Sequence, residues 1–428
     1  MRSPVFWRRF VAAGGVYISA LLGFAGSIVA VRELGIYAFG LLSLVLAATG
    51  FFQLLADLTV EEALVKYGFR YSAREEWGRF HRVFRIGLWL KLAGGALGAA
   101  GIVVLAPLSG LIWAHGLLGP MLIAALIPLA QAPEGVASAA LIVRGRYDVR
   151  GVFLVISMGL RLAALAIGGL FGVTETVAAL VVAQAIATGA IAAAAVVVLG
   201  RFPQRAPEPL GEDRVPFRRF VVRSSLGSLL SPMRGLLGAL LLGVVTGPRQ
   251  VAYFRVAQVP ESAFASLTAP ARLILLTEQT EDVERGRDDR AYRMLRRYSL
   301  GAGAFMLVVL PPLALLMPTL IRFVYGHQAA PAASAARLFL VVAAIQVIWG
   351  WSKSFPVSIG RPELRLLAQG AEIIVLVPAL LALGAAYAAT GGAGAFVIAA
   401  CVFAAIWTAI VYRLRRERRA ARAAVVPR

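Results

Sequence analysis

Residues 222–246 read VVRSSLGSLLSPMRGLLGALLLGVV. About 20 apolar residues in a helix cross a bilayer, and this run has that length. Arg234 stands at its centre. A guanidinium at mid-membrane costs roughly 2.5–3.5 kcal/mol on insertion scales, so it faces a cavity or a partner rather than lipid. Pro232, two residues earlier, removes a backbone donor beside the charge and is expected to bend the helix. At about 100° per residue Arg223, Gly227, Ser231, Arg234 and Gly238 fall along one small, polar stripe, with leucines on the other faces. The stretch reads as a membrane helix with lipid on one side and a polar lumen, or a tightly packed neighbour, on the other.

The rest of the chain follows the same rule. Of its 428 residues, 60% are hydrophobic and 15% charged, which excludes a large soluble core. Mean hydropathy is +0.79. The net charge of +21 suggests nucleic acid until the charges are placed. They sit in short loops between apolar runs, as membrane topology requires, so no nucleic-acid partner is expected. The single cysteine, Cys401, lies in an apolar run, which leaves no disulfide framework and no Cys-based metal site. MRSPVFWRRF followed by about twenty apolar residues reads as an uncleaved first span, because the apolar core of a signal peptide is shorter.

Twelve runs reach spanning length, near 11–31, 38–60, 86–107, 118–142, 152–172, 176–199, 222–246, 251–276, 300–321, 333–358, 366–388 and 391–412. Each is expected to be helical, since lipid leaves an open backbone no other partner. Arginine and lysine alternate in abundance from loop to loop. The N-terminus, the 61–85, 143–151, 200–221, 277–299 and 359–365 loops and the tail from Arg413 hold 32; the opposite loops hold Arg32, Arg249 and Arg322. This asymmetry places both termini in the cytoplasm, with the chain multi-pass in the cell (inner) membrane.

Eight cations remain inside spans: Lys91, Arg161, Arg223, Arg234, Arg255, Arg272, Arg337 and Lys353. Six lie near helix ends, where snorkelling to headgroups accounts for them as well as a lumenal role does. Arg161 and Arg234 are too deep for that. Among the acids, Asp57, Glu134 and Glu261 are candidates for ion coupling. Glu134 and Arg161 lie at similar depth on successive spans, about 12–14 Å from the cytoplasmic face, and are expected to pair. Glu261 has a depth similar to that of Arg234, so a buried bridge there is the alternative to a substrate role for Arg234.

The two halves of the chain echo each other at an offset of about 215 residues. Gln131 followed by Gly145-Arg146-Tyr147-Asp148-Val149-Arg150 matches Gln346 followed by Gly360-Arg361-Pro362-Glu363-Leu364-Arg365, and Gly135 falls on Gly350. Ala114-His115-Gly116 answers Tyr325-Gly326-His327. The expected fold is an all-α polytopic membrane protein of twelve helices in two six-helix lobes related by an internal parallel repeat. Residues 1–199 form one lobe, 200–221 a cytoplasmic linker, 222–412 the second lobe and 413–428 a basic tail on anionic lipid. The Gly-Arg-x-acid-x-Arg repeat itself reads first as a turn with topogenic charge. Gln131, Glu134 and Ser138 share a helical face, as do Gln346, Gly350 and Lys353, which suggests a common lumen; polar contact between helices is the alternative.

Several stretches resemble the Wzx-type polysaccharide flippases of the MOP superfamily, which also holds the MATE multidrug exporters and the lipid II flippases. They are Ala30-Val31-Arg32-Glu33-Leu34-Gly35-Ile36-Tyr37, then Leu55-Ala56-Asp57-Leu58-Thr59 with Glu62-Ala63-Leu64-Val65, and Val324-Tyr325-Gly326 with Ala329 to Leu338. The resemblance implies a MATE-like fold. It implies flipping of a polyprenyl-pyrophosphate-linked oligosaccharide, such as an O-antigen unit, from the cytoplasmic to the outer leaflet by alternating access. Partners would be membrane lipids, that glycan, and glycan polymerases or glycosyltransferases. A pyrophosphate suits arginine, whose planar fork binds two oxygens. Arg234, Arg161, Arg255, Arg272 and Lys353 are the candidates for it, with Gln131 and Gln346 along the sugar path. A MATE-like antiporter of small molecules and a non-transporting subunit of a glycan assembly complex are the alternatives.

Other chemistry has no signature here. There is no Gly-rich phosphate loop ending in Gly-Lys-Ser/Thr, no His-x-x-x-His and no Ser-His-Asp arrangement. Neither an enzyme nor a bound cofactor or metal is expected.

Overall fold

The computed structural model describes residues 4–268, 275, 278–279, 281–282, 285, 287–361 and 363–425, and all regular structure among them is helical. Contact density divides the chain into two compact units, Met1–Ala252 and Tyr253–Arg428. The first unit begins with α1 (Pro4–Ala56), α2 (Val60–Ala73), α3 (Trp77–Leu105) and the single turn α4 (Ser109–Ile112). It continues with α5 (Leu118–Ala124), α6 (Leu126–Val143), α7 (Tyr147–Gly169), α8 (Val173–Gly200) and α9 (Arg214–Thr246). Next in the chain come α10 (Pro248–Ala257), α11 (Val259–Leu267), α12 (Asp288–Tyr325), α13 (Ala332–Ile348), the turn α14 (Phe355–Ser358) and α15 (Glu363–Val425). Among the described residues, eight helical stretches are long and apolar enough to cross a membrane, and Ala332–Ile348 is apolar but shorter.

Two of the eight contain a residue of non-helical backbone inside one helix. α1 is interrupted at Gly35 (φ 76°, ψ 167°) and α15 at Ala388 (φ 52°, ψ −133°). Three runs that read as single spans are divided instead. The 118–142 run parts at Ala125 between α5 and α6, and the described part of 251–276 parts at Gln258 between α10 and α11. The 333–358 run becomes α13, a 3-10 turn over Gly350–Lys353 and α14. A proline lies just beyond each break, and its missing N–H leaves the carbonyl four residues back without a helical donor. For Pro128 that carbonyl belongs to Ala124, for Pro260 to Val256 and for Pro356 to Ser352. Proline alone does not decide the outcome, because α9 stays helical through Pro232 and α12 through Pro311, Pro312 and Pro318.

The repeat seen in the sequence has a backbone counterpart. Gly35 and Gly247, Gly116 and Gly326, Gly145 and Gly360, and Gly172 and Ala388 all have positive φ, and the partners are 212, 210, 215 and 216 residues apart. The Gly-Arg-x-acid-x-Arg turns use the same value twice, φ +72° at both Gly145 and Gly360. Only glycine adopts this conformation without crowding between Cβ and the carbonyl.

Segment 200–221 is packed rather than loose. Phe202, Leu210, Phe217 and Val221 are buried in one apolar cluster with Tyr67 and Tyr71 of α2, Phe80 and Phe84 of α3 and Leu141 of α6. Asp213 accepts hydrogen bonds from Arg70 Nη1 at 2.9 Å and from the Tyr71 hydroxyl at 3.0 Å. Burial first, and then that hydrogen bond, push the Tyr71 phenol well above its ordinary pKa. The Thr59 N–H donates to Ser225 Oγ at 2.8 Å, and the Ser224 hydroxyl donates to Glu62. These contacts tie the start of α9 to α2. Further along, Trp113 Nε1 donates to the Leu240 carbonyl at 3.1 Å.

Candidate functional site

A cluster of charged side chains inside the first unit surrounds Lys91. This residue is buried on α3, and its ammonium lies 2.6 Å from Asp57 Oδ1 and 2.6 Å from Glu61 Oε1. Asp57 sits in the loop after α1 and Glu61 in the first turn of α2. Absent side chains make the approach possible. A Cβ on Gly94 would come 2.6 Å from the Ala56 carbonyl oxygen, and one on Gly135 would run into the Glu61 carboxylate. Lys91 therefore does not snorkel to a headgroup, as its place near a span end suggested. Two carboxylates in a poorly solvated site hold the ammonium better than hydrated headgroups do. The carboxylates keep water access, with 38% and 33% of their side chains exposed, so the cluster opens onto a cavity. One ammonium is thus shared by two carboxylates.

Amides extend this cluster along the helices. Gln53 Nε2 donates to Gln131 Oε1 at 3.0 Å. Gln184 Nε2 donates to Glu134 Oε2 and to Thr188 Oγ1, both at 2.9 Å. These groups line two cavities that share Gln53 and Gln131. One, of about 390 Å³, is bounded by Asp57, Glu61, Lys91 and Glu134 among others. The other, of about 220 Å³, is bounded by Thr49, Ser157, Arg161 and Gln184 among others.

The expected Glu134–Arg161 ion pair is not formed. Gln184 occupies the place beside Glu134. Arg161 shares its cavity with Gln131, one turn away from Glu134 along α6. Among the described residues no carboxylate lies at salt-bridge distance from Arg161, and its exposed side chain opens onto the cavity. A guanidinium so placed can bind an anion that enters the cavity, with hydroxyl and amide donors alongside.

The other expected residues lie elsewhere. Arg234 is half-buried on α9. In the second unit Glu261 is buried and accepts from Gln346 Nε2 at 2.9 Å, so two candidates from different spans meet. Arg255 Nη1 donates to Gln258 Oε1 at 3.3 Å across the break between α10 and α11. Lys353 closes the 3-10 turn after α13, and Arg272 lies outside the described residues. The tight glycine at Gly135 has a counterpart in Gly350, where a Cβ would come 2.7 Å from the Tyr298 hydroxyl.

Residues 9–272 match a family described as polysaccharide biosynthesis protein. The chain belongs to this family. No curated protein matches it. Among solved structures, lipid II flippase MurJ in an inward closed conformation resembles this polysaccharide biosynthesis protein with a TM-score of 0.78 and 12% identity, over 94% of this chain and 87% of that one. An inward-facing MATE family multidrug resistance transporter of the MOP superfamily gives 0.75 and 16%, over 93% and 96%. A MOP superfamily transporter from Pyrococcus furiosus, described as having reversed polarity in its binding pocket, gives 0.62 and 16%, over 94% and 93%. At these identities the likeness establishes the fold: an all-helical, multi-pass membrane protein built like the MOP superfamily transporters.

Within this fold, Gln53 and Gln184 join the site without having been singled out in the sequence, and Lys91, one of the span cations, meets Asp57 and Glu61 there. The signals were present. Asp57 and Glu61 are four residues apart, Lys91 stands just before the Gly94-Gly95 pair, and each glutamine is a lone amide in an apolar run.

Proposed function

We propose that this protein flips a polyprenyl-pyrophosphate-linked oligosaccharide from the cytoplasmic to the outer leaflet of the cell membrane, by alternating access between two six-helix lobes. One observation carries the reading. Arg161 opens into an amide-lined cavity, and among the described residues no carboxylate lies at salt-bridge distance from it. A lone cation in that setting attracts an anion, and the diphosphate is the anionic part of such a substrate. Membership of the polysaccharide biosynthesis family supports a glycan-linked cargo. Gln53, Gln131 and Gln184 supply donors and acceptors suited to sugar hydroxyls. In this reading the termini are cytoplasmic, Arg234 is a second anion ligand, and glycan polymerases or glycosyltransferases act on either side of the step.

A second reading has its own observation. Asp57 and Glu61 share one lysine, and a cavity with surplus negative charge suits a cation or a proton. That favours an ion-coupled antiporter of small molecules. The two readings separate in proteoliposomes. A flippase moves a fluorescent polyprenyl-diphosphate sugar between leaflets and loses this on Arg161→Ala. Extrusion of cationic drugs without lipid transfer would replace the first reading by the second.

A further inference from the structure

Three arginines bracket the turn between α6 and α7, and their situations differ. Arg144 lies over the Phe202 ring at 4.9 Å. Arg146 pairs with Asp148 at 3.2 Å. Arg150 has neither kind of partner among the described residues, and its exposed side chain lines the 390 Å³ cavity together with Glu134 and Ser138. It also lines a small cleft with Phe153, Leu154 and Ser157. Ser157 in turn lines the cavity of Arg161. The two larger cavities themselves share Gln53 and Gln131. Eleven residues separate Arg150 from Arg161, which returns the helix to within about 20° of the same face after three turns. The two guanidinium-bearing positions are about 16 Å apart along the axis.

We propose that Arg150 and Arg161 are two successive stations for one diphosphate on the same face of α7, Arg150 at the mouth of the cavity and Arg161 within it. The inference rests on the flippase reading and adds a residue and an order of events to it. The separation is too large for one diphosphate to touch both arginines. Glu134, held by Gln184, lines the mouth beside Arg150, and its carboxylate disfavours a long stay of the phosphate at that first station. The cargo therefore occupies the outer station or the inner one. Arg150 acts at the open mouth, where its guanidinium offsets part of the negative charge of Asp57, Glu61, Glu62 and Glu134 and so raises the rate of capture. Arg161 acts by contact in a confined site, where it sets affinity.

The test uses the full-length protein in nanodiscs of neutral phosphatidylcholine, with geranylgeranyl diphosphate as the probe. Binding kinetics are read across a range of salt, and transfer of a polyprenyl-diphosphate sugar is read in proteoliposomes. Arg150→Gln is expected to slow association about ten-fold at low salt and to flatten its salt dependence, while the Kd contributed by the inner station changes little once on- and off-rates are separated. Arg150→Lys keeps most of the association rate. Arg161→Gln is expected to raise Kd at least ten-fold with association nearly unchanged. An unaltered thermal midpoint and gel-filtration profile verify that each variant folds. If Arg150→Gln associates and transfers lipid as wild type does, the two-station track is wrong and the flippase reading survives. If wild-type protein neither binds the diphosphate nor transfers the lipid, both fail. Equal binding of geranylgeranyl diphosphate to wild type and the Arg150→Gln/Arg161→Gln double variant also overturns the track, whatever the transport result.

Discussion

Gln131 and Gln346 occupy matched places in the two halves of the sequence, and they do different work. Gln131 accepts from a neutral amide, Gln53, and looks onto a cavity that also holds Lys91, Asp57, Glu61 and Glu134. Gln346 donates to a buried carboxylate, Glu261. The glycines one turn further on tell the same story. Gly135 makes room for the Glu61 carboxylate, whereas Gly350 makes room for the Tyr298 hydroxyl beside a core of Trp351, Phe355 and Trp407. Four turns of positive φ recur in the two halves at nearly the same spacing. The charges do not. The turns match between the halves while the polar groups beside them differ.

The sharpest way to break this comparison is to remove the cation in the first cavity. Arg161→Ala should lower lipid-linked sugar transfer about 10- to 100-fold, the loss of a charge-assisted contact of roughly 1.5–3 kcal/mol. Arg255→Ala, which loses only a 3.3 Å bond to Gln258, should lower it far less in the same proteoliposome assay. An equal loss from the two changes would mean that the first cavity has no special part in binding.

Lys91→Met should come next. It leaves two facing carboxylates without their ammonium. A fully buried pair broken this way costs about 3–5 kcal/mol, and the partial exposure of Asp57 and Glu61 reduces this to around 2. The measurement is the thermal midpoint of the purified protein. Adding Asp57→Asn to Lys91→Met should recover part of the loss, because one of the uncompensated charges disappears. No recovery would show that Lys91 acts through packing alone.

A smaller contrast separates the glutamines. Gln346→Leu strips a donor from a carboxylate and should cost about 1.5 kcal/mol, against about 1 for Gln131→Leu, which breaks a bond between neutral amides. Denaturation of the two variants side by side would detect the difference, and a reversed order would contradict the assignment of partners. The last test looks for sameness. Gly145→Ala and Gly360→Ala each force a Cβ into a backbone at φ +72° and should each cost about 1–2 kcal/mol. Clearly unequal losses would weaken the claim that the two turns are equivalent.

Much of this molecule was legible before its coordinates. Runs of some twenty apolar residues dictate helices, because lipid offers no partner to an open backbone. The matched Gly-Arg turns mark the repeat, and the resemblance to the family rests on stretches near 30–37, 55–65 and 324–338, the first two of them inside the matched residues 9–272. Arg161 was marked as an uncommon cation because depth can be read along a helix at a constant rise. Rotation and neighbours were harder. Lys91 read as a residue able to reach headgroups, and Arg150 as part of a charged turn. Glu134 and Arg161 read as a pair because their depths agreed.

What the linear chain determined by itself is what depends on local periodicity and composition: helix, membrane, repeat, and which charges lie too deep to escape. What only the tertiary structure decided is which of those charges meet. Salt bridges and hydrogen bonds act over a few ångströms, and helices far apart in sequence reach such distances only where small residues let them close. Gly94 and Gly135 bring Asp57 and Glu61 to Lys91, and α8 brings Gln184 to Glu134. Arg161, left facing the cavity, is a consequence of those pairings and not of its own place in the sequence.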